Sequence, residues 1–103
     1  MIIKLNTDSK IVEFNKAAEK FFKTKSNEMI NQNFLLKLIP EPLQKKTGNE
    51  LNKLLKDSQN DNLTMQMIVG NTKSDVDWSV NVLLNEQKTP TGIMLIAKNT
   101  TTL

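Results

Sequence analysis

The spacing of apolar and polar positions changes along the chain, and each change marks an element. Ile2-Ile3-Lys4-Leu5 alternates weakly and opens on β-branched residues, which predicts a strand. Asn6-Thr7-Asp8-Ser9 is a cluster of turn formers, and Lys10-Ile11-Val12-Glu13-Phe14 reads as a second strand, so the pair predicts a hairpin. Asn15 then stands where a helix N-cap is needed, because its side chain can accept a free backbone N–H. Behind it Ala17, Ala18, Phe21 and Phe22 share one helical face. Ser26 offers a cap for a short turn carrying Met29 and Ile30. The apolar run Phe34 to Ile39 is halted by Pro40 and Pro42, and a further helix is expected from about Gly48 to Lys56, with Leu51, Leu54 and Leu55 on one face.

After the polar stretch Asp57 to Asn62 the period becomes two. Leu63, Met65, Met67 and Val69 alternate with Thr64, Gln66 and Ile68 up to Gly70, and Asn71-Thr72-Lys73-Ser74 is read as a turn. Val76, Trp78, Val80 and Val82 alternate cleanly with Asp75, Asp77, Ser79 and Asn81, the pattern of a half-buried strand. Asn85 to Thr91 is a loop, and Gly92 opens a last strand, Ile93 to Ala97, that is apolar throughout. That last strand is expected to be central and buried on both faces, with the first strand beside it. Two strands, a helical block and a three-stranded meander with one core predict an α+β fold: a five-stranded antiparallel sheet in the order 2-1-5-4-3, with a helical arm over one face.

Length and composition narrow the function. At 103 residues the chain fits one domain, residues 1–103. It has no cysteine, histidine, arginine or tyrosine, which removes thiol nucleophiles, most bases that work near neutral pH and the usual nitrogen and sulfur metal ligands. An enzyme would rest on carboxylates such as Glu13, Asp75 or Asp77, of which the last two are better explained as a polar strand face. The net charge of +3 comes from lysines scattered from Lys4 to Lys98, with no arginine and only five aromatics, so nucleic-acid binding is not indicated. No apolar run approaches the length that spans a bilayer, and the N-terminus lacks a signal-peptide pattern, so a cytoplasmic location is expected.

The order of elements and several short motifs resemble the PAS domain family over nearly the whole chain. They are the opening hairpin Leu5 to Ile11, the asparagine-led helix start Asn15-Lys16-Ala17-Ala18-Glu19, Leu38-Ile39-Pro40, and the glycine-led ending Gly92 to Thr101. The sequence departs from the family where Thr24 and Lys25 follow the first helix in place of a glycine, where Gln32 or Asn33 replaces another, and where Asn99 and Thr100 close the ending. The resemblance implies a sensory module with a small-molecule pocket between the arm and the inner sheet face, joined to a flanking effector domain. In this chain the expected lining is Phe22, Leu51, Leu55, Met67, Trp78, Val80 and Met94, with Asn15, Thr64 and Ser79 as polar contacts only if the strand faces differ from that assignment. No cofactor is certain. Haem on histidine or cysteine and a cysteine-adduct flavin lack their ligating or reacting residue, and methionine alone is a poor haem ligand. Dicarboxylate sensing lacks its arginine or histidine clamp. A neutral or apolar ligand, or a noncovalent flavin, is compatible with these residues.

One further expectation concerns self-association. Ile3 and Leu5, with Ile93 and Leu95 or Met94 and Ile96, are expected to leave an apolar patch on the outer sheet face, where the domain would form a homodimer. The leading function is thus a non-catalytic sensory and dimerisation module of a histidine kinase, diguanylate cyclase or transcription regulator. The alternative is a ligand-free protein–protein adaptor with a packed core.

Overall fold

The computed structural model describes residues 1–97, so the ending Lys98-Asn99-Thr100-Thr101 quoted above lies outside the described residues. The chain runs β1 (Ile2–Asn6), β2 (Ile11–Phe14), α1 (Lys16–Phe22), α2 (Ser26–Met29), α3 (Phe34–Leu38), α4 (Glu41–Asp57), β3 (Asp61–Val69), β4 (Thr72–Leu84) and β5 (Pro90–Ala97). The strands form one antiparallel sheet in the order β2-β1-β5-β4-β3, as the pattern predicts.

Local chemistry fixes the entry to the helical arm. Asn6 Oδ1 accepts the backbone N–H groups of Asp8 and Lys10, closing the first hairpin with Ser9 in the left-handed region at φ 64°. Asn15 has two tasks. Its Oδ1 caps α1 by accepting from Ala18 N at 3.0 Å, and it also accepts from Ile2 N at 3.1 Å, which ties the helix start to the first residue of β1. Asn15→Ala is therefore expected to lower stability by about 1–2 kcal/mol, at the upper end of a cap loss, because two donors lose their acceptor. A urea unfolding midpoint measures this, and Asn15→Asp, which keeps the acceptor, should recover most of the loss.

The capping of the next two helices differs from the expectation. Ser26 is the first residue of α2 and not its cap; its N–H donates to the Glu19 carboxylate at 2.6 Å. That bond, outweighing desolvation and helped by the Ser26 hydroxyl, Lys16 and Lys25, holds the Glu19 carboxyl below its ordinary range. Asn33, read above only as a replaced glycine, caps α3 by accepting from Leu35 N and Leu36 N. Where the family has a glycine after its first helix, Lys23 itself adopts the left-handed conformation, at φ 56°.

Element boundaries also move. Helix α4 begins at Glu41 and not near Gly48, because Pro42 sits in its first turn, where the missing N–H has no intrahelical partner to lose. Gly48 lies inside that helix, and a Cβ there would stand 2.9 Å from Leu35 Cδ1, so the small residue lets α3 pack closely. The turn between β3 and β4 is only Gly70 and Asn71, with Val69 paired to Thr72 and Gly70 at φ 61°. Thr72 to Ser74, polar enough to look like a turn, instead form the start of β4, paired with Val69 to Met67.

The core lies between the helices and one sheet face. It gathers Ile3, Leu5, Ile11, Phe14, Met65, Met67, Val76, Trp78, Val80, Ile93, Leu95 and Ala97 from the sheet, and Ala18, Phe22, Met29, Phe34, Leu38, Leu51 and Leu54 from the arm. Strand β5 is central, but it is not buried on both faces. Ile93, Leu95 and Ala97 are buried, Met94 is half-buried and Ile96 is 36% exposed.

Candidate functional site

The cross-strand register decides which residues can form a site. Ile3 pairs with Leu95 and Leu5 with Ile93, and across the other edge of β5 Val80 pairs with Leu95 and Trp78 with Ala97. Directly opposed residues share a face, so all of these point into the core beneath the arm. On the far face Ile2 pairs with Ile96, Lys4 with Met94, Ser79 with Ile96 and Asn81 with Met94.

Six of the seven expected pocket residues come together. Phe22, Leu51, Met67, Trp78 and Val80 belong to the buried core, and Leu55 packs against it half-buried. Met94 does not join them, because its place in the register puts it on the opposite sheet face. The four expected interface residues are corrected in the same way. Ile3, Leu5, Ile93 and Leu95 are at most 1% exposed on the inner face, so none of them lies on the outer one. The outer apolar strip is Ile2, Met94 and Ile96, bordered by Lys4, whose Nζ lies 3.4 Å from Glu13 Oε1. The error is a single step of register: Ile2-Ile3 and Ile93 to Ala97 do not alternate in sequence, and one residue reverses every side chain.

The space between arm and sheet is filled by the protein's own side chains. A void that could hold water would leave accessible area on its walls, and Leu51, Met67 and Val80 have none. Trp78 stands at the centre, 1% exposed, and its indole N–H donates to Met67 Sδ at 3.0 Å. A thioether is a weak acceptor, so this donor has only a minimal partner. Phe22 makes a tilted contact with Phe14 at 6.0 Å between ring centroids and an edge contact with Phe21 at 4.9 Å. Beyond the core, Phe22, Met29, Leu38 and Ile68 line a surface cleft of about 450 Å³, and Leu63 and Trp78 border another of about 280 Å³.

The expected polar contacts are committed elsewhere. Asn15 caps α1, Thr64 Oγ1 donates to Asp77 Oδ1 at 2.6 Å on the outer face, and Ser79 accepts from Asn81 Nδ2. The polar side chain buried among the described residues is Thr47 on α4, which borders a cleft against β3 and which the apolar pattern gave no reason to single out. Glu13 on β2 is separated from Asp75 and Asp77 on β4 by two intervening strands. Among the described residues no group of three carboxylate, histidine or cysteine side chains could hold a metal ion, and no helix is long and apolar enough to cross a membrane.

Comparison with known proteins agrees with this architecture. No curated protein matches the chain. Among solved structures, the PAS domain of the quorum-sensing receptor RpfR from Cronobacter turicensis, in complex with BDSF, superposes with a TM-score of 0.82 at 13% identity, covering 97% of this chain and 92% of that one. The PAS domain of the histidine kinase ThkA gives 0.67 at 18% identity, covering 95% and 96%. The N-terminal domain of a diguanylate cyclase with a PAS/PAC sensor from Marinobacter aquaeolei gives 0.77 at 10% identity, covering 94% and 91%. At these identities the likeness is one of fold. The sequence profile described as PAS fold matches residues 1–100, and the chain therefore belongs to the PAS fold family.

Proposed function

We propose that this chain is a non-catalytic sensory module of a larger signalling protein, of the histidine kinase, diguanylate cyclase or transcription regulator type, and that it responds to a small neutral or apolar molecule by opening the packed core at Trp78 and Met67. The observation that carries the reading is the buried indole N–H resting on a thioether. A ligand carbonyl or hydroxyl would offer that donor a stronger acceptor, and Met67 is flexible enough to yield its place. The RpfR domain has been solved with BDSF and with C12:0, which supports an aliphatic ligand for this fold. This chain, without arginine or histidine, favours an uncharged head group over a carboxylate.

Trp78 is the chain's single tryptophan, so its emission reports on this site alone. Titration with 1-decanol is expected to shift that emission saturably and to add the mass of one alcohol in a native mass spectrum, with dodecanoate binding at least about tenfold more weakly. Flat emission together with equal native and denatured masses would overturn the ligand reading. It would favour the second one, a ligand-free adaptor, which the complete filling of the space around Leu51, Met67 and Val80 supports.

A further inference from the structure

The sheet has two edges, and the described residues protect only one of them. Edge strand β2 is four residues long, and its partner register is broken by an irregularity at Lys4 and Leu5. The loop before α3 also covers it: Ile11 N–H donates to Gln32 O, Asn31 N–H donates to Ile11 O, and Lys10 bridges to Asn33. Edge strand β3 has none of these devices. It is nine residues long, its pairing with β4 is unbroken from Asp61 to Val69, and it carries no proline and one charge, Asp61 at its first position. Among the described residues no backbone group outside β4 bonds to it.

The tight turn fixes which of its groups are free. In a two-residue hairpin the closing pair, here Val69 and Thr72, exchanges both hydrogen bonds, and bonded pairs then alternate along the ladder. The odd-numbered residues of β3 therefore face β4, and the N–H and C=O groups of Thr64, Gln66 and Ile68 point outward from the sheet edge. Asn62 fits the same alternation, since its N–H is taken by the carboxylate of its neighbour Asp61 at 2.8 Å. Asn62, Thr64 and Gln66 are exposed, and Ile68 is half-buried.

We infer that β3 is a pairing edge for a second copy of this chain, joining two sheets into one through an antiparallel β3–β3 contact centred on Met65. The free groups require a register that pairs outward-facing, even-numbered residues with one another, and centring it on Met65 meets that requirement. This register sets Thr64 against Gln66 of the second copy, the two exchanging N–H···O bonds, and lets the Ile68 N–H donate to the carbonyl of Asn62, whose own N–H is held by Asp61. On the core side it sets Leu63 beside Met67 and Asp61 beside Val69, so no like charges oppose one another. The flank is self-complementary too. Lys46 and Glu50, one helical turn apart on α4, border the cleft over Thr64, Met65 and Gln66, and a two-fold axis at Met65 turns each copy's lysine toward the other's glutamate. The contact uses a different surface from the Ile2, Met94 and Ile96 strip.

Sedimentation velocity over a concentration series tests it. The wild-type chain is expected to dimerise, and Gln66→Pro to weaken association roughly tenfold or more, since the ring removes a donor and obstructs the partner. The substitution removes no bond to β4, so the circular dichroism spectrum should persist. Ile96→Lys, on the outer face, should leave the dimer intact. Should Gln66→Pro fail to fold, amide hydrogen exchange on the wild-type chain decides: the Thr64 and Gln66 amides should be protected only at concentrations where the dimer forms. A wild-type monomer at all concentrations, fast exchange of these amides in the dimer, or a dimer that survives Gln66→Pro and dissociates with Ile96→Lys would each overturn the inference.

Discussion

Trp78→Ala is expected to remove about 3–5 kcal/mol of stability, the range for truncating a large buried ring. Small domains are stable by roughly 5–15 kcal/mol in all, so the variant should be marginal at room temperature. The effect is large because Trp78 is the largest of the fully buried side chains and abuts Met67, Val80 and the β5 ladder. Surrounding side chains from two layers cannot collapse into its space without shifting the sheet. Trp78→Phe separates two contributions. It keeps an aromatic ring and discards the indole N–H, whose partner among the described residues is the Met67 thioether, so the loss should be about half as large or less. Urea unfolding followed by circular dichroism measures both variants. A loss below about 1 kcal/mol for the alanine variant would show that the ring does not hold the core together.

The second large effect is expected at Gly92. A Cβ built there would lie 2.2 Å from the carbonyl oxygen of Leu5, a contact no side-chain rearrangement can relieve because the neighbour is main chain. Gly92→Ala must push β1 away from β5, stretching the ladder that includes Asn6 opposite Gly92 and Ile93 opposite Leu5. Overpacking typically costs about 1–3 kcal/mol, and a backbone clash belongs at the top of that range or above it. Gly48→Ala is the matched control. There the added carbon meets only the end of the Leu35 side chain, and alanine gains up to about 1 kcal/mol of helix propensity, so the two effects nearly cancel. Unfolding midpoints for the two variants should differ widely. Equal midpoints would mean that the close approach of β1 to Gly92 is not a constraint on the fold.

Strand order was legible in the sequence because one segment, Ile93 to Ala97, is apolar without interruption and so had to sit between other strands. The facing of its side chains was not legible for the same reason: without polar residues in alternate places, nothing distinguishes Met94 from Leu95. β4, where Asp75, Asp77 and Ser79 mark every second position, was placed the right way round. Helix α4 was cut short because a proline reads as a barrier unless one knows it falls in the first turn. The core set Phe22, Leu51, Met67, Trp78 and Val80 followed from helical and strand periods alone. The contact between the Trp78 indole and Met67 could not, since residues eleven apart on two strands meet only once the hairpin register is fixed.

The first and last described residues lie side by side. Met1 O accepts from Ala97 N at 2.9 Å, and Ile2 pairs with Ile96. Because β1 and β5 run in opposite directions, tension applied across Met1 and Ala97 would meet the bonds between them one after another and not all together. The molecule is thus mechanically soft along this axis: a small force peels β1 from β5, beginning at Ile2 and working toward Gly92, and leaves the β3–β4 hairpin for last. The Asn15 side chain, which holds both Ile2 and the start of α1, is the first point at which such a tear would reach the helical arm.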